Sequence, residues 1–145
     1  MADVFEILVT LNLSAEIPGD ELAELRWHLG LLRWHLGLRE RPEALPLTGP
    51  FDPEPVLAAR GAAWKVGGAV VGELVERGEG WALTVLQEVH PDELPTLHAL
   101  LTGVARHADQ VGFAGFVRFY EDDAPESFTV SGGQLALPAA VTDYL

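Results

Sequence analysis

Apolar side chains recur at every second position between Phe5 and Leu13, and this alternation is the strongest constraint on the fold. Period two with one strongly apolar face is typical of a β-strand covered on one side. After Pro18 and Gly19 the spacing changes, because leucines now recur every three or four residues, as they do along one face of a helix. These leucines are Leu22, Leu25, Leu29, Leu32 and Leu36. The chain therefore begins with a strand and then a helix.

The remainder of the chain repeats this alternation of periods. The predicted elements are strands over 64–75 and 81–89, a helix that begins near Asp92, a strand over 113–121 and a hairpin over 128–137. Pro95 places the start of the second helix, because only the first N–H groups of a helix are unpaired and can be lost to proline. Asp92 is then the expected N-cap.

The order strand-helix-strand-strand-helix-strand resembles the split βαβ plan of ferredoxin-like folds. The resemblance implies a single α+β domain over 1–145, with a four-stranded antiparallel sheet, both helices on one face and an added C-terminal β-hairpin. In that plan the strands at 5–13 and 113–121 are neighbours. The resemblance concerns architecture alone, and folds of this kind host many unrelated functions.

A proline-rich segment over 39–61 separates the first helix from the second strand. It holds five of the ten prolines of the chain, so it cannot form a regular helix. It also carries apolar residues, among them Leu45, Phe51 and Leu57. We therefore expect an ordered crossover that packs on the domain, rather than a linker between two domains.

Two identical heptads, 25–31 and 32–38, follow one another without a gap. If the helix runs through both, an outward stripe forms from Trp27, Leu31, Trp34 and Leu38. Tryptophans often anchor interfaces, so this stripe predicts a homodimer or a protein partner. Alternatively, Gly30 ends the helix and the second heptad turns back to the core.

His28 and His35 would lie ~10.5 Å apart along a helix, too far to share a metal ion, and we expect no metal site.

Charge limits the partners. Twenty-two acidic residues face nine basic ones, so the formal net charge is -13. Nucleic acids and anionic membranes are bound by clusters of arginine and lysine, which the sequence lacks. A cation, a basic protein or a neutral small molecule fits better. An acidic start, without a 20-residue apolar run, predicts a cytoplasmic protein.

Motifs of catalysis are missing from the sequence. It contains no phosphate-binding loop, no dinucleotide fingerprint and no His-Glu-x-x-His zinc motif, and it has no cysteine. We therefore expect no cofactor. The remaining candidates for chemistry are His90, His98, Arg118 and Tyr120. Each also has a structural explanation: His90 belongs to a loop before a capped helix, His98 flanks a helix stripe, and Arg118 and Tyr120 suit cross-strand pairing.

Three functions are compatible with these observations. The first is a non-catalytic domain that self-associates or binds a protein partner. The second is a cofactor-free enzyme of the dimeric α+β barrel type, in which two open sheet faces enclose a pocket for a small molecule. The third is an acidic inhibitor or decoy of a basic protein, which rests on the net charge alone. The absence of a catalytic motif favours the first.

Overall fold

The computed structural model describes residues 3–31, 34–35 and 38–145, with only the backbone given for the second and for positions 38–39. The described part is an α+β fold in which a seven-stranded antiparallel sheet is accompanied by three helices. A separate two-stranded sheet lies within the repeat. The predicted α+β class with an antiparallel sheet is confirmed.

The elements follow one another as β1 (Phe5–Ser14), α1 (Gly19–His28), β2 (Trp34–His35), β3 (Leu38–Arg39), β4 (Gly61–Ala62), β5 (Ala69–Arg77), β6 (Gly80–Val89), α2 (Leu94–Ala105), β7 (Gly112–Phe119), β8 (Glu126–Ser131), β9 (Gln134–Ala136) and α3 (Ala139–Thr142). Short 3-10 turns at Gly49–Phe51 and Pro91–Glu93 complete this order. The predicted strand over 64–75 begins late, because residues 63–68 form a loop before β5.

Strand β1 lies in the middle of the sheet, whose order is β4-β5-β6-β1-β7-β8-β9. It pairs along its full length with β6, from Phe5 opposite Val89 to Ser14 opposite Gly80. On its other side Phe5 lies opposite Phe119 of β7. The expectation that the first strand and the strand over 113–121 are neighbours is therefore confirmed.

The main sheet is larger than the four strands predicted. The short strand β4 extends one edge, and the predicted C-terminal hairpin, β8 and β9, extends the other instead of standing apart. A register shift between Phe113 and Gly115 adapts β7 to its neighbours. Gly115 has a φ of 153°, and a Cβ there would lie 1.9 Å from the Leu8 carbonyl oxygen. Only glycine permits so close an approach of β7 to β1.

The two faces of the sheet differ. Along β1 every odd-numbered side chain from Phe5 to Leu13 is buried, whereas the even-numbered ones are only half-buried. The odd face packs in one apolar cluster with Leu25 and Leu29 of α1 and Leu97 of α2. Both long helices therefore cover the same face. The other face, which we call the open face, is formed by the outward side chains of β5, β6, β1 and β7.

Helix α1 ends within the first heptad, so the alternative of one helix through both copies is wrong. Gly30 has a φ of 72°, a left-handed conformation that favours glycine. The Gly30 N–H donates to the Trp27 carbonyl and the Leu31 N–H to the Arg26 carbonyl, at 3.0 and 2.9 Å. These two bonds form a Schellman cap, which satisfies the last carbonyls of the helix. The predicted helical positions Leu32 and Leu36 lie outside the described residues.

The start of the second helix also differs from the prediction. His90, not Asp92, is the capping residue, and it precedes the 3-10 turn that leads into α2. The His90 ring Nδ1 accepts the Asp92 N–H at 3.1 Å, while Glu93 accepts the His90 N–H at 3.2 Å. This reciprocal arrangement is a capping box built on histidine instead of serine or threonine.

Replacing Gly30 with alanine tests the cap. We expect Gly30→Ala to lower the free energy of unfolding by about 1 kcal/mol, because a Cβ is disfavoured in the left-handed conformation. Gly19→Ala is the matched control, since a Cβ there meets no atom within 4 Å and has an ordinary helical position. Urea unfolding of both variants gives the comparison. A stabilised Gly30→Ala protein would mean that the helix continues through the repeat.

Candidate functional site on the open face of the sheet

Four apolar side chains lie side by side across the centre of the open face. The cross-strand register places Val71 opposite Leu86, Leu86 opposite Leu8, and Leu8 opposite Phe116. We call Val71, Leu86, Leu8 and Phe116 the apolar row. Opposed side chains of neighbouring strands lie within contact distance, so the row forms a continuous strip. Val71 is 39% exposed and the other three are half-buried, and both long helices pack on the opposite face of the sheet.

A charged row borders the apolar row. Glu88 of β6 lies opposite Glu6 of β1, which lies opposite Arg118 of β7. The Arg118 Nε donates to Glu6 at 2.9 Å, and its Nη1 donates to the carbonyls of Tyr120 and Asp122 at 3.1 and 2.7 Å. Arg118 therefore ties β1 to the turn after β7. Its Nε and Nη1 donors are thus used by the protein itself.

Glu88 fixes the loop that precedes β5. Its carboxylate accepts the backbone N–H groups of Trp64, Lys65 and Val66, the latter two at 2.6 and 3.0 Å. Burial raises the pKa of Glu88, but these three hydrogen bonds outweigh it, and the pKa lies below its ordinary value. The Lys65 ammonium lies 4.6 Å from the centre of the Tyr120 ring and 5.5 Å from that of Trp64. The loop is thus held against the charged row.

The open face carries little net charge. Its outward positions on the four strands carry three glutamates and two arginines, namely Glu6, Glu73, Glu88, Arg77 and Arg118. This difference of one negative charge contrasts with -13 for the chain. Most of the negative charge therefore lies elsewhere on the surface.

The four candidate residues for chemistry do not form one site. Arg118 lies on the open face, whereas His98 belongs to α2, which packs on the opposite face of the sheet. His90 is engaged in its capping box. A hydrogen bond to Glu121, with a smaller contribution from burial, raises the pKa of Tyr120, which makes its hydroxyl a weaker proton donor. The arrangement brings no nucleophile and base together.

The predicted outward stripe of the repeat is placed differently. Trp27 is 4% exposed and packs in the interior, with the Arg41 guanidinium 5.4 Å from the centre of its ring. Leu31 follows the end of α1 and is 47% exposed. Trp34 and Leu38 lie in β2 and β3, and their side chains are outside the described residues. Trp27 is therefore part of the fold, because the crossover returns over it after the helix has ended.

A cluster of polar residues is completely buried between α1 and the crossover. Glu24, His28 and Thr48 are each 0% exposed, and we call them the buried cluster. Glu24 accepts the N–H groups of Leu47 and Thr48 at 2.7 and 3.0 Å, and also the Thr48 hydroxyl at 2.5 Å. One helical carboxylate thus binds three donors of the crossover, which compensates for its burial.

His28 supplies a second bond to the crossover. Its Nδ1 accepts the Val56 N–H at 3.3 Å, so in the neutral ring Nε2 carries the proton. Nε2 lies 3.1 Å from the Thr48 hydroxyl and 3.3 Å from Glu24. Burial lowers the pKa of His28, and it outweighs the opposing effect of Glu24; the positive charge of Arg41 lowers it further. The cluster is sealed from solvent and serves to hold the crossover.

The described residues contain neither a cluster of metal ligands nor a helix that could span a membrane. In residues 3–31 and 40–145, together with the backbone described between them, no three acidic or histidine side chains converge as metal ligands would. The helices of the same residues are all too short or too polar to cross a bilayer. The pair His28 and His35 cannot be judged as a unit, because the His35 side chain lies outside the described residues.

Comparisons with family models, with curated proteins and with solved structures find no match for this chain. What can be inferred about function therefore depends on the chemistry and shape of the surfaces described above.

The sequence contained signals for the features that its analysis missed. Glu24 and His28 are four residues apart on one helix, the spacing at which side chains meet. Leu8 and Leu86 are apolar residues at otherwise polar positions of their strands. Both signals could have been recognised in the sequence. What the sequence does not contain is the register that aligns Leu8 with Leu86, or the return of Thr48 to Glu24.

The buried cluster predicts a dependence of stability on pH. Because the pKa of His28 is lower in the folded than in the unfolded chain, its contribution is complete above the ordinary value of 6.5 and is lost as the pH falls below it. We expect the free energy of unfolding to decrease over that range in urea titrations. His28→Gln should flatten this dependence, and His98→Gln, at a half-buried position of α2, should retain it. Equal curves for the two variants would contradict the role of His28.

Removing the Glu88 charge should loosen the loop over 63–68. We expect Glu88→Gln to speed amide hydrogen exchange at Trp64, Lys65 and Val66 by roughly five- to tenfold, because weakening bonds to a charged acceptor costs about 1 kcal/mol. Glu73→Gln is the control on the same face, since among the described residues its carboxylate accepts no hydrogen bond. Unchanged exchange in Glu88→Gln would show that the loop is held by its other contacts.

Proposed function

We propose that this chain is a non-catalytic α+β domain that associates with a second copy of itself through the open face of the sheet. The observation that carries the proposal is the apolar row. A strip of four apolar side chains across a sheet face that neither long helix covers is a feature of interaction surfaces. Val75, 54% exposed on β5, extends the apolar surface beyond the row.

The size of the open face supports a stable contact. Four strands spaced about 4.8 Å apart, with about eight residues each at 3.3 Å, give a footprint near 500 Å² before the relief of the side chains is counted. Stable interfaces bury about 800 Å² on each partner. The face is therefore of the right order. A two-fold contact would bring the same row of each copy together.

The distribution of charge favours a second copy over a basic partner. Two chains of net charge -13 repel each other, so they can approach closely only where the local charge is small. The open face meets this condition, and a strongly basic partner would instead be drawn to the acidic parts of the surface. Added salt should strengthen a contact between copies because it screens their repulsion, and it should weaken a contact with a basic protein.

We also infer a ferredoxin-like core within the larger sheet. The support is that the four long strands stand in the order β5, β6, β1, β7 and that α1 and α2 cover one face. On this interpretation β4 and the hairpin of β8 and β9 are additions at the two edges. Open faces of such sheets are free to pair with each other.

The enzyme alternative has less support. A barrel-type enzyme would use polar side chains that point from the open face into an enclosed space. On that face Arg118 and Glu88 are committed to the Glu6 carboxylate and to the backbone of the loop. His98 lies on the other side of the sheet. The acidic decoy rests on net charge alone, and no contact in the described residues adds to it.

Substitutions on the open face test the proposal by light scattering and sedimentation. We expect the wild type to be a dimer at micromolar concentration and Val71→Lys/Val75→Lys to be a folded monomer. Lysine is chosen because it lowers the net negative charge, so general repulsion cannot explain dissociation. Both positions are already exposed, and we expect little change in stability. Val111→Lys, at an 80% exposed site outside the strands, is the control and should remain dimeric.

A third variant separates the two predicted interfaces. Leu31→Lys changes the exposed leucine at the end of α1 and should leave the dimer intact. Dissociation by Leu31→Lys alone would move the contact to the repeat. A monomeric wild type at high micromolar concentration, in both low and high salt, would refute self-association through the open face.

A further inference from the structure

A groove lies between helix α2 and the turn of the β8–β9 hairpin. It has a volume of about 600 Å³, within the range of small-molecule sites. The residues that line it are His98, Thr102, Arg106, Gly132, Gly133, Gln134 and Leu135. Since α2 packs on the covered face of the sheet, the groove lies on the opposite side of the sheet from the apolar row. It is therefore independent of the proposed dimer contact.

Four polar side chains line this groove: Thr102, Arg106 and Gln134 are exposed and His98 is half-buried. His98 and Thr102 of α2 and Arg106, the residue that caps its C-terminus in a helical conformation, are spaced by four residues, which puts them on one side of the helix. Gln134 faces them from the start of β9. In the part of the chain that the structure describes, none of these four side chains forms a hydrogen bond or an ion pair with another protein group. Their donors therefore remain available to a ligand.

The charge of the groove is the opposite of that of the protein. No carboxylate lines it, although the chain has 22 acidic residues against nine basic ones. Arg106 has no carboxylate partner among the described residues. The guanidinium group presents a planar fork of N–H donors that matches the two oxygens of a carboxylate or a phosphate. Imidazole, hydroxyl and amide donors beside it suit the remaining oxygens.

The side of the groove opposite α2 is formed by the hairpin turn, which contains Gly133. Gly133 has a φ of 76°, and a Cβ at this position would lie 3.2 Å from the Arg106 carbonyl oxygen. A side chain at position 133 would therefore be strained by its backbone conformation and tight against the end of α2. Leu135 is half-buried against the core and supplies an apolar side to the groove. The result is a site with polar donors on one side and an apolar contact on the other.

We propose that this groove binds a small molecule that carries an oxyanion, with Arg106 as the principal anion-binding residue. The rest of the ligand would be apolar enough to lie against Leu135. Carboxylate and phosphate share the chemistry that Arg106 recognises, and the experiment distinguishes them.

Titrations by ¹H–¹⁵N NMR test the site at neutral pH and constant ionic strength, with inorganic phosphate, butyrate and acetate in separate series. We expect saturable shifts of the Gly132, Gly133 and Arg106 amides, with a dissociation constant in the millimolar range. Butyrate should bind more tightly than acetate because of its contact with Leu135. Tighter binding of phosphate than of butyrate would assign the site to phosphate compounds.

Arg106→Gln should weaken binding by about tenfold or more, because it removes the charged fork. The Arg106 side chain supports no described contact, so we expect this variant to fold. Arg77→Gln, at an exposed arginine on the open face, should bind as the wild type does. His98→Gln should give a smaller loss. Equal affinities of Arg106→Gln and Arg77→Gln would overturn the proposal, as would the absence of saturable shifts up to about 50 mM of either anion.

Discussion

The buried carboxylate of Glu24 is the interaction on which the arrangement of this chain most depends. Between β3 and β4 the crossover contains only the short 3-10 turn at Gly49–Phe51, so most of its backbone is not satisfied by regular secondary structure. It is nevertheless packed tightly enough to leave Leu57 0% exposed. Glu24 accepts two of its N–H groups and the Thr48 hydroxyl, and His28 accepts a third N–H. If either side chain were apolar, buried donors would be left unpaired, at a cost of about 1–3 kcal/mol each.

At its other end the crossover is held by Gln87 and Arg60. The Gln87 side chain exchanges hydrogen bonds with both backbone groups of Ala59 and also donates to the Val71 carbonyl at 2.9 Å. Arg60 donates to the carbonyls of Leu29 and Gly72, each at 2.7 Å. The same residues thereby join the end of α1 to β5. The edge of the sheet that carries Val71 is thus kept in place by contacts made behind it, on the covered side.

Period and order in the sequence were sufficient for the class of fold and for the pairing of its first and last long strands. The alternation from Phe5 to Leu13 defines which face of β1 is buried, and the structure agrees. The end of the first helix and the cap before the second helix could not be predicted from the pattern, because several residues could fill each role. Gly30 ended a helix that the leucine spacing would have continued. His90 caps the 3-10 turn that precedes α2, so Asp92 lies inside that turn instead of capping the helix.

The apolar row could not be predicted from each strand separately. It forms only when four strands align Val71, Leu86, Leu8 and Phe116. Each residue looks like an isolated exception in its own segment. Register depends on the turns and on Gly115, where β7 approaches β1 closely. The groove between α2 and the β8–β9 hairpin could not be predicted from the sequence for the same reason. Its residues come from α2 and from a hairpin nearly thirty positions later, and their proximity is a property of the tertiary structure.

The Schellman cap at Gly30 has a consequence for how this protein could acquire new sequence. The two heptads are identical, yet the first ends a helix and the second contributes backbone to the short sheet of β2 and β3. The described residues of the second copy therefore have a different backbone conformation from their counterparts in the first copy. Because the helix stops before the second copy begins, a duplication here leaves Glu24, His28 and the core leucines in register. The end of α1 is therefore a position at which evolution can insert residues without disturbing the interior.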